Sequence, residues 1–302
     1  MLLMWNMERD EIAAQQPEKR ERKALQKRMR KQEPERGWRV KAETHLVVAT
    51  TGDGERWLYV PAGWSIAGGW EEKGELPVRA ERTDAFWIAN DPVTFGNFRE
   101  FVGKAYKLDD PCWSPFQDEA RKDLQGRSEQ SDMNRGLLNL PAKGPVIQVS
   151  WFEAAAYCRW PSQRHRWNGP HDRYRLPTEA EWEKAARGLF GRRWPWGNVW
   201  REGLAVCADH KVLKPVPGPN NPNVSPFGVR GMAGNAWEWT STGWKPNGFG
   251  KKVEAPSCRD EISWRGGSFF LDSWVARCAF RAHSDPTFRN TDRGFRCVRV
   301  VD

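Results

Sequence analysis

The chain lacks the groupings on which most metal and redox sites are built. Its six cysteines, Cys112, Cys158, Cys207, Cys258, Cys278 and Cys297, never form a CxxC pair, so a zinc ribbon has no spacing to use. Its five histidines form neither HxxxH nor HExxH. In a cytosolic chain the expected state of each cysteine is a buried thiol. No apolar run reaches the length of a membrane span. The opening MLLMWNMERDEIAAQQ meets acidic residues too early to serve as a secretory leader. A cytoplasmic location is therefore expected, with surface display left open. No internal repeat is found.

What is abundant is tryptophan and arginine. Nineteen tryptophans suit a fold with little regular structure, because each supplies bulk and one N–H donor. The net charge is +9, but the excess is diffuse and much of it sits in arginines within structural-looking motifs. Nucleic acid is therefore not expected as a partner. Mean hydropathy is −0.79, that of a soluble chain.

Residues 1–45 are read as a charged N-terminal extension, helical or disordered, and 46–302 as the folded domain. PEKRERKALQKRMRKQEPERG mixes both signs of charge with few apolar residues. From Leu46 on, HLVVATT, RWLYVPAGWSIAGG and AFWIAND read as short strands. Thr94 reads as the N-cap of a helix with Phe95, Phe98, Phe101 and Val102 at helical spacing. Residues 107–144 show no period and read as a long surface excursion. Val146 to Val149 read as a strand. Ser150 with Glu153, and Thr178 with Glu181, read as capping boxes opening two helices. Trp182, Ala185 and Ala186 share one face of the second, and Gly188 ends it. Trp237 and Trp239 alternate as in a strand. In GFRCVRVV, Phe295 and Cys297 face one way, Val298 and Val300 the other.

Residues 264–302 hold two kinds of position. Trp264, Arg265, Gly266, Gly267, Trp274, Arg277, Arg281, Pro286, Arg289, Arg293, Gly294 and Phe295 look like a frame. Between them, Phe270, Leu271, Asp272, Ser273, Val275, Ala282, His283, Ser284, Asp285, Thr287, Phe288, Asn290, Thr291 and Asp292 look interchangeable. A rigid frame carrying unconstrained side chains suits recognition rather than catalysis. Arg277, Arg281, Arg289 and Arg293 can hold carbonyls or carboxylates through the guanidinium fork. Phe270, Leu271, Trp274 and Phe288 would be apolar anchors, with Asp272, His283, Asp285, Asn290 and Asp292 as polar contacts.

Five stretches carry a family resemblance: VPAGWSIAGG with DPVTFGNFREFV, GPVIQVSWFEAAAYCRW, RLPTEAEWEKAARG, GMAGNAWEWT, and RGGS…RGFRCV. In order and spacing they resemble the formylglycine-generating enzyme (sulfatase-modifying factor) family, from about residue 57 on. The resemblance implies an α+β, C-type-lectin-like fold with short twisted strands, two main helices and long irregular loops. Its catalysts oxidise a substrate cysteine using two copper(I)-binding thiolates, soft ligands for a soft ion. Here Leu271 stands at the first of those places, and Trp274 or Val275 at the second. Copper is therefore not expected, and no other cofactor is required. The resemblance also places Cys297 near Cys158 and leaves Cys278 unpaired, because its expected partner is Ala186. The superfamily's four-helix iron module needs a histidine triad, and residues 1–45 contain only His45. A calcium site in family members resembles the GNAWEW turn, with Asn235 and Glu238 as candidate ligands. Hydrogen-bonded bracing of the turn by the same residues is the open alternative.

The C-terminal segment further resembles the variable region of proteins served by diversity-generating retroelements, whose mutagenesis turns AAY codons into NNY. NNY cannot encode Lys, Glu, Gln, Met or Trp, and none of the five occurs at the interchangeable positions. Trp274 is unreachable by that route, which places it in the frame. The expected function is thus non-catalytic binding of a ligand, expected to be protein, by a diversified surface. The alternative is an oxidoreductase or enzyme accessory of the same superfamily.

Overall fold

The computed structural model describes residues 39–43, 46–51, 54–69, 75–125, 141–160, 174–210, 216 and 221–301. It is an α+β fold. Strands β1 (Arg39–Glu43), β2 (Leu46–Thr50), β3 (Arg56–Val60) and β6 (Phe86–Ala89) form one sheet with β12 (Val298–Val300) and β7 (Tyr174–Arg175), in the order β1-β2-β3-β6-β12-β7. Every pairing in this sheet is antiparallel. The last strand of the chain thus sits between early and middle strands and ties the two ends of the fold together. Strands β4 (Gly63–Ala67) and β5 (Arg79–Thr83) form a separate hairpin. A third sheet runs β10-β9-β8-β11, from Arg281–Ser284, Ile262–Arg265, Trp237–Gly243 and Arg293–Gly294.

Four α-helices lie among the described residues: α1 (Phe95–Ala105), α2 (Gln117–Leu124), α3 (Trp151–Arg159) and α4 (Glu179–Arg187). Thr94 caps α1 through the Asn97 amide. Both capping boxes form: Ser150 with Glu153 opens α3, and Thr178 with Glu181 opens α4. Phe295 and Cys297 join one core cluster and Val298 the other, as alternation requires.

Three expectations need correction. Val146–Val149 is not a strand, because Gln148 adopts φ +62°, a left-handed conformation that breaks extended pairing. The stretch after residue 107 is not a surface excursion where it is described. Cys112, Trp113, Phe116 and Ala120 are buried in the main core, and α2 is a fourth helix beside the two expected main ones and α1. Polar side chains on the outer face of α2 hide that period in the sequence. The sheet also begins at Arg39, ahead of the expected boundary at Leu46. The rest of the extension, 1–38 with 44–45, lies outside the described residues. No helix among the described residues is long and apolar enough to cross a membrane.

The third sheet has two unlike faces. Trp237, Trp239, Trp264 and Ala282 lie on one, since directly paired residues share a face: Trp239 pairs with Trp264, and Trp264 with Ala282. The other carries Glu238, Arg265 and Arg281, which are likewise in register. Helix α4 packs on this second face. Its Glu179 accepts Arg281 Nε and Nη2 at 2.5 and 2.7 Å. Its Glu183 takes Arg265 Nη2 on one oxygen and Arg187 Nη1 at 2.6 Å on the other. Its Trp182 indole donates to Glu238 at 2.7 Å.

Candidate ligand-binding surface

The C-terminal frame is built from these buried ion pairs. Gly266 and Gly267 follow β9 at φ +103° and +76°, and a Cβ on Gly267 would meet the Ala276 backbone at 3.0 Å. Only glycine accommodates both the twist and the approach. Arg277 donates Nε to Glu75 at 2.6 Å. Arg289 forks onto both oxygens of Asp123, at 2.6 and 2.5 Å, and reaches Glu153 at 2.8 Å. Arg296 forks onto Glu238 at 2.6 and 2.7 Å. Charge-assisted forks of this kind fix backbone position in two dimensions.

The interchangeable side chains stand on this frame. Phe270 is 51 % exposed, Leu271 39 % and Phe288 39 %, and Asp272, His283, Asn290 and Thr291 are also exposed. Ser273, Ala282, Ser284, Asp285 and Thr287 are half-buried. Two positions are corrected. Val275 is 4 % exposed because the turn over Ser273–Ala276 points it into the main core. Asp292 is 5 % exposed, with its carboxylate on Arg293 and its carbonyl accepting the Trp237 amide.

Trp274, assigned to the frame, is 48 % exposed. Its ring meets Phe280 at 5.2 Å, Phe280 meets Trp237, Trp237 meets Trp264, and Trp264 meets Phe288 at 5.8 Å. One aromatic layer therefore joins the two exposed ends of the segment. Phe280 was missed, although Phe280, Ala282 and Ser284 follow the two-residue period that would have revealed it. His283 stands apart. Alternation puts it on the opposite face of β10 from Ala282, where it stacks on Trp244 at 4.1 Å and pairs with Glu261 at 3.2 Å. The polar positions are occupied locally. Asp285 accepts from the Thr287 amide and hydroxyl, and Asn290 from the Thr291 amide.

The GNAWEW turn shows the bracing role. Asn235 sits at φ +72°, where its amide clasps Val216 by accepting from the amide and donating to the carbonyl. Both Glu238 oxygens accept from Arg296, and one also from Trp182. A calcium ion at Glu238 would have to displace a guanidinium, so the residues as arranged do not fit it. At the copper positions, Leu271, Trp274 and Val275 offer no thiolate. The nearest sulfur in sequence, Cys278, is fully buried, and burial pushes its thiol up to about 12. A protonated, sealed thiol is neither nucleophile nor metal ligand. Iodoacetamide at pH 8 is expected to leave Cys278 unlabelled in the native chain and to label it fully in urea, as peptide mass spectrometry would read. Cys158 and Cys297 do meet, with sulfurs 3.0 Å apart and buried. Cys278 and Ala186 both belong to the second core cluster.

Comparison with known proteins agrees with this arrangement. Residues 44–301 match the sulfatase-modifying factor enzyme 1-like domain. The chain belongs to that family. It is 28 % identical to the formylglycine-generating enzyme of Bos taurus, across 76 % of this chain and 69 % of that protein. It is 30 % identical to the inactive C-alpha-formylglycine-generating enzyme 2 of Mus musculus, across 74 % of this chain and 78 % of that one. These relatives thus include one named as an enzyme and one named as inactive. Among solved structures it resembles PvdO from Pseudomonas aeruginosa, with TM-score 0.64 and 20 % identity over 84 % of this chain and 98 % of the other. It also resembles Treponema denticola variable protein 1, with TM-score 0.59 and 19 % identity over 87 % and 98 %. At those identities the likeness concerns the fold alone.

Proposed function

We propose that this sulfatase-modifying-factor protein is a non-catalytic binder. On this reading it has a C-type-lectin-like architecture and displays a retroelement-diversified C-terminal surface to a protein ligand. One observation carries the proposal: Phe270, Leu271, Trp274 and Phe288 project into solvent from a frame of buried arginine–carboxylate pairs, and Leu271 stands where the family's copper thiolate belongs. Large apolar side chains held outward by a frame of buried ion pairs are what interface anchors require. The fold shared with variable protein 1 supports the same reading.

The competing reading, an oxidoreductase or enzyme accessory, draws on the similarity to the Bos taurus enzyme. Two measurements separate them. Purified protein is expected to show no oxidation of a cysteine peptide in the presence of copper(I) and oxygen, and turnover would overturn the non-catalytic reading. The flanking DNA is expected to hold a reverse transcriptase gene and a near-copy of the final coding stretch with adenines at the interchangeable codons. Absence of both would remove diversification.

A further inference from the structure

Of the four arginines expected to clamp the frame, Arg293 behaves differently. Arg277 gives its Nε to Glu75, Arg281 gives Nε and Nη2 to Glu179, and Arg289 gives Nε to Glu153 and both terminal nitrogens to Asp123. Arg293 donates Nη1 to Asp292 at 2.7 Å, and its buried Nε has no acceptor. Its guanidinium lies 3.7 Å from the centre of the Trp264 ring and 4.7 Å from that of Phe288. Trp264 adds a second unanswered donor. Its indole Nε1–H is buried without an acceptor, in a residue 4 % exposed. Two neighbouring donors sealed from water each carry an uncompensated desolvation cost. Other buried donors, such as Arg265 Nε and Trp194 Nε1, are also left open, but Arg293 and Trp264 are set apart by lying in one contact beneath an interchangeable side chain, Phe288.

The shape of the open edge says which acceptor. Nε and Nη2 of a guanidinium present two parallel N–H bonds that match the two oxygens of a carboxylate. Arg281 and Arg296 use that same edge on Glu179 and Glu238. We propose that Arg293 and Trp264 form a carboxylate-binding notch beneath Phe288, and that it receives an acidic side chain of the protein ligand. This deepens the reading of the surface above by naming the charge that the ligand brings. Phe288 covers the notch and is itself interchangeable, so a fixed polar point lies under a replaceable lid. Burial lowers the pKa of Arg293, with Asp292 acting in the other direction, which is the sign of a cation short of partners. The net charge of +9 favours approach of an anion.

The test uses the full chain, ¹⁵N-labelled, titrated with sodium acetate against sodium chloride at equal ionic strength. The Trp264 indole resonance is assigned by Trp264→Phe. Acetate is expected to shift the Trp264 indole and Arg293 Nε–H signals saturably, and chloride is not. Phe288→Ala should tighten acetate several-fold by removing the cover. Arg293→Lys keeps the charge, loses the two-pronged edge, and should abolish saturation while the other indole signals report an intact fold. Identical responses to acetate and chloride in both wild type and Phe288→Ala would overturn the notch, as would Arg293→Lys titrating like wild type. A missing template copy in the flanking DNA would remove diversification and leave the acetate result standing. A silent titration would do the reverse.

Discussion

Replacing Arg296 with methionine is expected to destabilise the chain by about 3–5 kcal/mol, the cost of leaving a buried carboxylate without its partner. Arg296 is fully buried and holds both oxygens of Glu238, which is also fully buried. The same guanidinium satisfies the carbonyls of Ala89 and Asn90 at 3.2 Å and of Arg230 at 2.9 Å. It therefore joins β6, the loop before Gly231 and β8 in one contact. Urea denaturation should show a lower midpoint with an unchanged slope. The double variant Arg296→Met with Glu238→Met should recover most of the loss, because an apolar pair of similar volume does not bury a lone charge. A loss under about 1 kcal/mol in the single variant would mean that water reaches the site and the network is not a stabilising brace. Calcium chloride in millimolar excess is expected to leave the wild-type midpoint where it is, since Arg296 already occupies the place a cation would take.

What the sequence revealed, and what it hid, follows from the range of the interactions. Local signals were legible. The hydroxyl–glutamate spacing at Ser150/Glu153 and Thr178/Glu181 marked both helix starts, and Trp237 with Trp239 marked β8. The face shared by Phe295 and Cys297 was legible for the same reason. Helix α4 shows the limit. Trp182, Ala185 and Ala186 announced a packing face, but Glu179, Glu183 and Arg187 form a second buried stripe that reads in sequence as an ordinary solvated one. Its partners, Arg265 and Arg281, lie 82 and 102 residues further on, and no local pattern reports them. In the C-terminal segment, the exposure of Phe270, Leu271, Asp272, His283 and Phe288 was legible from the contrast with fixed Arg and Gly. Val275 and Asp292 were misplaced because a 3₁₀ turn and a strand start turn them inward. His283 faces away from Ala282, since an edge strand presents alternate residues to opposite sides, and no signal within the segment reports which strand is the edge.

The second large effect concerns the contrast between frame and surface. Arg289→Met is expected to cost about 3–5 kcal/mol, because it strands two buried carboxylates at once. Asp123 loses both fork bonds, and Glu153, which also caps α3 and accepts from Tyr106, loses its cation. Burial pushes the Asp123 carboxyl up and Arg289 opposes that, so losing Arg289 should push it further up and leave α2 loosely held. A library that randomises Phe270, Leu271, Asp272, His283, Asn290 and Thr291 together should behave oppositely. These side chains are exposed, and substitutions at such places change stability by no more than about 0.5 kcal/mol each. Protease resistance of displayed variants would read both at once: most library members should survive conditions that remove Arg289→Met. Library members failing as often as the arginine variant would show that these side chains hold the fold, and a surface that holds the fold cannot be rewritten for new ligands. Survival of the library separates shape from recognition, which is the property that lets one scaffold carry many binding specificities.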